Sequence, residues 1–400
     1  MREKNAPKLR FKGFFEDWEQ RKVFEISKVT YGGGTPKTNT KEFWNGNIPW
    51  IQSSDLEINR LFNVSPKKKI TNEAVKKSAA KIIPPNSIAI VTRVGVGKLA
   101  LMPFEYATSQ DFLSLSELQI DSYFGIFSLY SMLQKELKNI QGTSIKGMTK
   151  SDLLEKKVTI PKKYEEQQKI GNFFKQLDDT IALHQRKIDS LKLLKHAFLQ
   201  KMLVNQGFVP EVRFADFDEK WEQRKLGDLG TVAMNKRIFK KETSERGDIP
   251  FYKIGTFGSA PDSFISRRLF DEYKEKYPYP EKGDLLISAS GSIGRVVEYT
   301  GADEYFQDSN IVWLKHDNQL VNSFLKQFYN IVKWHGLEGS TIKRLYNKNI
   351  LETEIGLPSR DEQQKIGYFF KQLDDTIALH QIKLDNFKQL KKSFSQKIFI

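Results

Sequence analysis

Apolar residues recur at alternating steps of four and three positions along two long stretches of the chain. This is the a and d spacing of a coiled coil, and it predicts two long helices. Pro161 and Pro358 precede the stretches, so each helix should begin shortly after its proline. The predicted seams are Ile170, Phe174, Leu177, Ile181, His184, Ile188 and Leu191 in the first helix, and Ile366, Phe370, Leu373, Ile377, His380, Leu384 and Phe387 in the second.

This pattern alone leaves two arrangements of the helices open. Each could be an amphipathic helix that lies on its own domain, or the two stripes could pack against each other. Each stripe runs for about ten turns, whereas helices of globular domains average about three or four. The length therefore favours two helices that pair.

The two stretches belong to a tandem duplication that covers nearly the whole chain. "EQQKIGNFFKQLDDTIALHQ" from Glu166 returns as "EQQKIGYFFKQLDDTIALHQ" from Glu362, and "RFKGFFEDWEQRK" from Arg10 returns as "RFADFDEKWEQRK" from Arg213. The segments 57–85 and 258–282, by contrast, share almost nothing. One part of each copy should therefore serve the same role, and the other part different roles.

The variable parts carry an α+β pattern. "NSIAIVT" and "GDLLISAS" predict short strands, "YGGGTPKT" a flexible loop, and "FGIFSLYSMLQKELKNI" a helix. We therefore predict an α+β fold with two globular domains in tandem duplication and two long helices. The predicted divisions are a variable domain at 1–164, a helix at 165–204, a second variable domain at 205–360 and a second helix at 361–400.

The charge balance makes a polyanion the first partner to consider. Lys and Arg number 64 against 49 Asp and Glu, a net charge of +15. Nucleic acid leads on this ground, and an acidic membrane surface follows. The N-terminus lacks the apolar core of a signal peptide and no run is long enough to span a bilayer, so we expect a soluble, cytoplasmic protein without a membrane partner.

Patterns that suggest enzyme chemistry are weak. Cysteine is absent and only five His occur, so neither a metal site nor a thiol nucleophile is expected. "GVGK" from Gly95 lacks the remaining residues of a Walker phosphate loop, and we interpret it as a turn between strands. Asp262, Glu272 and Lys274 fit a loose metal-nuclease pattern, but the first copy does not repeat it. We therefore predict no catalytic residue in this chain.

Two basic, dissimilar domains joined to two near-identical helices resemble the specificity subunit of a type I restriction-modification enzyme. The resemblance covers essentially all 400 residues. Its most specific marks are a proline before "EEQQKIGNFF" and "DEQQKIGYFF", and the "GTSIK" and "GSTIK" elements upstream of each.

The resemblance implies a fold, a function and partners. The helices would form an antiparallel coiled coil that sets the spacing of the domains, and each domain would read one half of a bipartite, asymmetric site in double-stranded DNA. Two methyltransferase subunits would dock alongside and flip the target adenine, and restriction subunits with motor activity would join for cleavage. This chain would bind no cofactor, while S-adenosylmethionine, ATP and magnesium would belong to the partner subunits.

Candidate DNA contacts are polar or basic residues, with one loop glycine, in the turns of the variable domains, because phosphates attract cations and base edges need directional hydrogen bonds. In the first copy they are Gly33, Thr35, Lys37, Ser53, Ser54, Thr92, Arg93, Lys98, Gln110, Ser144 and Lys146. In the second copy they are Asn235, Lys236, Arg237, Lys253, Ser290, Ser292, Arg295, Gln307, Asn310, Thr341, Lys343 and Arg344. Gln110 and Gln307 fall at matching places, where the shared role could equally be structural.

Two other classes of function stay open on the sequence. The chain could be a scaffold whose coiled coil joins two protein-binding domains, with the basic charge serving solubility. An enzyme is the third class. A neighbouring reading frame for an adenine methyltransferase would favour the specificity subunit, and a lone gene would favour the scaffold.

Overall fold

A computed structural model describes residues 6–139, 148–203, 209–334 and 344–400 of the chain. The chain divides into two compact units. The first unit comprises residues 1–185 and 382–400, and the second comprises residues 186–381. Within the described ranges, every helix is too short or too polar to cross a lipid bilayer.

Strands and helices are numbered in chain order. The first half of the chain contains β1 Glu19–Lys22, β2 Ser27–Gly32, β3 Trp44–Ile51, β4 Lys68–Ile70, α1 Asn72–Lys77, β5 Ser87–Val91, β6 Leu99–Met102, β7 Ala107–Thr108, β8 Phe112–Leu118, α2 Ser122–Asn139, α3 Lys150–Glu155, β9 Lys157–Ile160 and the long helix α4 Tyr164–Met202. The second half contains β10 Glu222–Lys225, α5 Leu226–Leu229, β11 Gly230–Ala233, β12 Ile249–Tyr252, β13 Phe264–Ile265, α6 Arg267–Lys276, β14 Leu285–Ser288, β15 Val296–Glu298, β16 Tyr305–Phe306, β17 Ile311–His316, α7 Asn322–Ile331, α8 Asn347–Leu351, β18 Glu354–Leu357 and the long helix α9 Arg360–Ile398. Short 3-10 turns lie at Val23–Ile26, Lys41–Phe43, Ser53–Asp55 and Lys240–Glu242.

The two units share one sheet topology. A four-stranded sheet has the order β2-β8-β5-β6 in the first unit and β11-β17-β14-β15 in the second. A three-stranded sheet follows the order β4-β3-β7 and β13-β12-β16, respectively. The predicted α+β class, with two tandem domains and two long helices, is therefore confirmed.

Strands β5 and β14, interior strands of the two larger sheets, are buried on both faces, which explains their continuous apolar sequences. Ile88 and Ile90 of β5 pack with helix α2, while Ala89 and Val91 face a second cluster on the opposite side of the sheet. In β14, Leu285 and Ile287 likewise lie in a different cluster from Leu286. Since side chains alternate across a strand, each such strand supplies two cores at once.

A two-stranded ladder closes the base of each variable domain. Strands β1 and β10 both read EQRK, and they pair antiparallel with β9 and β18. The registers match, because Glu19 lies opposite Ile160 and Glu222 lies opposite Leu357. Both variable segments therefore leave the repeated framework at an equivalent place.

A buried arginine–glutamate pair fixes the first turn of α4. The Arg10 guanidinium donates two hydrogen bonds to the Glu166 carboxylate, at 2.6 and 2.8 Å, and Trp18 Nε1 donates a third at 3.4 Å. Glu166 is only 1% exposed. The hydrogen bond to Glu166 raises the pKa of Arg10, as a bidentate carboxylate partner should.

The second unit repeats this anchor at α9. Arg213 donates twice to Glu362 at 2.7 Å, and Trp221 Nε1 donates at 3.1 Å. The anchor explains why the "RF…WEQRK" segments and the helix starts are duplicated together, since each supplies half of the cluster. Gln167 and Gln363 complete it by donating to the carbonyl oxygens of the prolines that precede the helices, at 2.8 and 3.0 Å.

Repeated glycines let each long helix approach its own domain closely. A Cβ atom at Gly171 would lie 2.5 Å from the backbone nitrogen of Phe124 in α2. A Cβ atom at Gly367 would lie 2.1 Å from Ser323 Oγ in α7. The glycine of the "KIG" repeat is therefore required by this helix-to-helix contact.

Within the first unit, α4 and α9 run antiparallel. The ring centroids of Phe173 and Phe394 are 5.2 Å apart, and those of His184 and Phe387 are 5.6 Å apart. A later residue of α4 thus contacts an earlier residue of α9, as in an antiparallel pair. Between these contacts, Lys391 donates to the carboxylate of Asp178.

The second unit shows the same antiparallel direction. The ring centroids of Phe198 and Phe369 are 5.1 Å apart, and Lys195 Nζ lies 2.6 Å from Asp374 Oδ1. Every predicted seam residue is buried or half-buried. Ile170 and Phe174, however, join the core of their own domain. The first turns thus lie on the domain, and the later turns pair with the other long helix.

Candidate nucleic-acid interface

The turn between β5 and β6 forms one wall of a cleft of about 1110 Å³ in the first unit. Gly95 and Gly97 adopt positive φ values of 91° and 96° in this turn. Because L side chains rarely adopt these angles, glycine suits both positions. The interpretation of "GVGK" as a turn between strands is confirmed, and Arg93, next to the turn, lines the cleft.

The opposite walls bring together residues that are distant in sequence. Gln110 and Asp111 come from the loop before β8, and Thr149 and Lys150 come from the start of α3. Both α3 residues are absent from the sequence-based candidates. Lys150 Nζ lies 2.5 Å from the place where a Cβ atom of Gly32 would stand, so glycine at the end of β2 leaves room for the ammonium group.

Two cations, Arg93 and Lys150, and one carboxylate, that of Asp111, line the cleft. The pKa of Lys150 is lowered, first by burial and then by the charges of Arg93 and Lys81. In the described part of the chain, no acidic side chain forms an ion pair with any of these three cations. The arrangement is therefore suited to an anionic ligand.

The glycine-rich segment beside the cleft is held by close backbone packing. Tyr31 and Gly32 belong to β2, and a Cβ atom at Gly33 would lie 1.9 Å from the carbonyl oxygen of Ser109. The predicted loop therefore begins at Gly33, because Tyr31 and Gly32 still pair with β8. The packing places Thr35 so that its hydroxyl donates to Gln110 Oε1.

The other first-copy candidates differ in accessibility. Lys37 and Ser54 are exposed, while Lys98 donates to the carbonyl oxygen of Ser53 at 3.0 Å and holds a 3-10 turn. Thr92 departs from the expectation of a solvent-facing contact: it is buried, and its hydroxyl donates to the carbonyl oxygen of Asp111 at 3.0 Å. Ser144 and Lys146, with the whole "GTSIK" element, lie outside the described residues.

The basic candidates of the second unit have intramolecular partners. Arg295 donates to the carbonyl oxygen of Phe257 at 2.7 Å, and Arg344 donates to that of Ser309 at 3.0 Å. Lys253 pairs with Asp262 at 2.9 Å. Each of these three side chains holds a loop to a neighbouring segment, and Arg295 is also exposed to solvent.

The remaining second-copy candidates are exposed or polar loop residues. Ser292 is exposed, as are Lys236 and Arg237, whose charges lie over the rings of Tyr277 and Phe239 at 4.8 and 5.7 Å. Ser290 donates to Asn310 Oδ1 at 2.7 Å. Asn235 is buried, contrary to the expectation of a solvent-facing contact. Thr341 and Lys343, within "GSTIK", lie outside the described residues.

The predicted match between Gln110 and Gln307 shifts by one residue. Thr108 and Phe306 end the short strands that pair with Ile51 and Tyr252. The next backbone nitrogens, those of Ser109 and Gln307, donate to the carbonyl oxygens of Ile51 and Tyr252. Ser109 is thus the structural counterpart of Gln307.

The side chains of the two glutamines also differ in role. Gln307 Oε1 accepts from the backbone nitrogen of Ile254 at 2.9 Å and fixes a loop. Gln110 is exposed and faces the cleft. Gln307 therefore has a structural role in its loop, whereas Gln110 lines the cleft of the first unit.

The loose nuclease pattern is not assembled into a site. Asp262 pairs with Lys253, and Glu272 pairs with Lys276 along α6 at 3.2 Å. No cluster of three His, Asp or Glu side chains in the described ranges is arranged to hold a metal ion. These carboxylates act as partners of neighbouring lysines.

Comparison with protein families matches residues 15–193 and 218–389 to the type I restriction modification DNA specificity domain. The type I restriction enzyme MjaIX specificity subunit of Methanocaldococcus jannaschii is 27% identical over 96% of this chain and 93% of that protein. A putative type I restriction enzyme specificity subunit of Haemophilus influenzae is 55% identical, over 38% of this chain and 40% of that protein's length. These matches confirm the resemblance drawn from the repeated segments.

Solved structures share the fold. The crystal structure of a type I restriction-modification S subunit from M. genitalium superposes with a TM-score of 0.64 at 17% identity, over 99% of both chains. A structure from a study of complex assembly and conformational transition in the type I system superposes with a TM-score of 0.55 at 18% identity, over 95% of this chain and 97% of that one.

Proposed function

This chain belongs to the type I restriction-modification DNA specificity family, and we propose that each of its two units reads one half of a bipartite DNA site. One observation carries the proposal: the units share topology and anchors but differ at the surface around the equivalent loops. Arg93 and Lys150 of the first unit correspond to Ser290 and Asn347 of the second. Two different surfaces on one framework suit two different half-sites.

The long helices are proposed to set the number of unread base pairs between the half-sites. The family match does not favour a scaffold for two protein partners. This chain would supply the sequence selection, and the chemistry would belong to the subunits that join it. S-adenosylmethionine, ATP and magnesium are accordingly assigned to those subunits.

The repeated exposed surface supports docking of two identical partners. Leu183 and Leu379 occupy the same place in the repeated "IALHQ" segment and are 59% and 49% exposed. Lys169 lies over the ring of Phe14, and Lys365 lies over that of Phe217, both at 5.0 Å. An identical surface carrying exposed apolar residues suits one kind of partner bound twice, and we assign it to the methyltransferase subunit.

We expect methylation only when the partner is present. The purified chain incubated with S-adenosylmethionine should transfer no methyl group to DNA. Co-expression with its type I methyltransferase subunit should yield adenine methylation at one bipartite sequence, read by methylome sequencing. A catalytically dead methyltransferase variant is the control. Methyl transfer by the chain alone would refute this division of labour.

Replacing the repeated leucines should remove the partner in steps. Leu183→Glu should leave one methyltransferase bound instead of two, because a charge replaces an apolar contact at one site only, and Leu379→Glu should remove the other. The double variant should elute without partner in size-exclusion chromatography with light scattering. Leu193→Glu is the matched control, since Leu193 is 71% exposed on α4 but its counterpart in α9 is Gln389. Full occupancy in the double variant would exclude this surface.

A further inference from the structure

Two cations, Arg93 and Lys150, line the first unit's cleft, and the charge of a third, Lys81, acts on Lys150. Lys150, Arg93 and Lys81 come from three separate segments, at the start of α3, after β5 and before β5. Burial and like charge both disfavour such a group in an empty site. Neither cost is offset by an ion pair among the described residues. A bound anion would remove both costs.

The other wall of the cleft has hydrogen-bonding groups. Gln110 is exposed, with Oε1 accepting from the hydroxyl of Thr35. Asp111 lies next to it, with its carboxylate accepting from Ser109 Oγ at 3.4 Å. An amide and a carboxylate offer directional donors and acceptors, which a base edge requires and a phosphate does not. The cleft therefore has a cationic side and a base-reading side.

Among the described residues of the second unit, the positions equivalent to Arg93 and Lys150 carry no charge. The backbone nitrogen of Thr92 donates to the carbonyl oxygen of Asp111, and in the second unit that of Ala289 donates in the same way to Asn310. Thr92 and Ala289 are therefore equivalent positions, and Ser290 is the counterpart of Arg93. Asn347 begins α8 as Lys150 begins α3. The nearby cations Arg295 and Arg344 donate to backbone carbonyl oxygens. The pair Arg93 and Lys150 thus distinguishes the first unit from the second, which has Ser290 and Asn347 at these positions.

We propose that the cleft of the first unit binds a DNA backbone phosphate between Lys150 and Arg93, while Gln110 contacts the adjoining base pair. This inference rests on the proposed function and deepens it. It makes the two half-sites unequal in kind: the first is held by an added charge contact, and the second lacks that contact.

The test measures binding of duplex DNA by the full chain in complex with its methyltransferase partner, by fluorescence anisotropy between 50 and 200 mM salt. One lost phosphate contact lowers the slope of log affinity against log salt by about one. Lys150→Ala should therefore weaken binding to every sequence. Between 50 and 200 mM salt, the loss of affinity of this variant should be about 3.5-fold smaller than that of the wild-type complex. Gln110→Ala should lower the preference for the correct base pair at one position of one half-site by about 5- to 150-fold.

Two further variants separate a lost contact from a lost fold. Lys150→Asn introduces the residue that begins the equivalent helix of the second unit, so it should fold and show the same reduced slope. Lys76→Ala, at an exposed lysine of α1 outside the cleft, should keep the wild-type slope. A wild-type slope in Lys150→Ala, Lys150→Asn and Arg93→Gln would overturn the phosphate site while leaving the proposed function intact. Absence of sequence-dependent binding by the wild-type complex would instead overturn the proposed function.

Discussion

Replacing Glu166 by Gln should lower the free energy of unfolding by about 3 kcal/mol, because it leaves Arg10 without its counter-charge in a nearly buried place. The substitution keeps the size of the side chain but turns a bidentate acceptor into a single carbonyl oxygen. Arg10 keeps only 15% of its side chain exposed. Breaking a buried pair commonly costs about 3–5 kcal/mol, and the partial exposure of Arg10 places this pair at the lower end.

Urea unfolding of the full chain, followed by circular dichroism, measures the effect. Glu165→Gln is the matched control, because Glu165 precedes Glu166 in the same helical turn but is exposed. It should cost at most about 1 kcal/mol through the helix dipole. Glu362→Gln and Asp361→Asn form the same comparison in the second unit. Equal losses for Glu166→Gln and Glu165→Gln would contradict an anchoring role for the pair.

Replacing residues 23–156 by residues 226–353 should convert the chain into one that recognises the second half-site twice. The exchange joins the new segment to strands β1 and β9, which form the same ladder register as β10 and β18. The packing under the new segment is also preserved. Trp18 meets Phe124 edge-to-face at 5.9 Å, and Trp221 meets Phe324 in the same way at 6.0 Å.

Methylome sequencing of cells that carry the exchanged chain and its methyltransferase measures the outcome. The methylated site should contain two copies of one wild-type half-site, and the former asymmetric site should be lost, since each mismatched base pair costs about 1–3 kcal/mol. The reciprocal chain, with residues 23–156 in both places, is the control and should double the other half-site. If an exchanged chain folds and still methylates the original asymmetric sequence, the variable segments are not the readers.

Elements that depend on local pattern could be predicted from the sequence. Apolar residues at alternating steps of four and three fall on one face of a helix, whichever apolar surface that face contacts. The helices α4 and α9 could therefore be predicted from this spacing alone. The same holds for β5 and β14, where short β-rich runs lie between turn residues. The duplication could be read directly, and with it the equality of the two frameworks.

The reason for the duplication became visible only in three dimensions. Arg10 and Glu166 are separated by 156 positions, and no local pattern indicates that they meet. The contact explains why two distant segments are repeated together, because a change in either would leave a charge unpaired. Likewise, the seam pattern could not show that Ile170 and Phe174 pack on their own domain before the helices pair.

The candidate interface depended still more on tertiary structure. A basic residue in a loop has the same sequence signature whether it faces solvent or donates to a carbonyl oxygen, so Arg295 and Arg93 were equal candidates until their surroundings were known. Lys150 begins a short helix and carries no DNA-binding signature of its own. Only the fold brings Lys150 close enough to Arg93 and Lys81 for their charges to act on it. This interaction depends on the distance in space and is independent of the separation along the chain. Composition and repetition thus determined the framework, and only tertiary packing decided which cations line the cleft of the first unit.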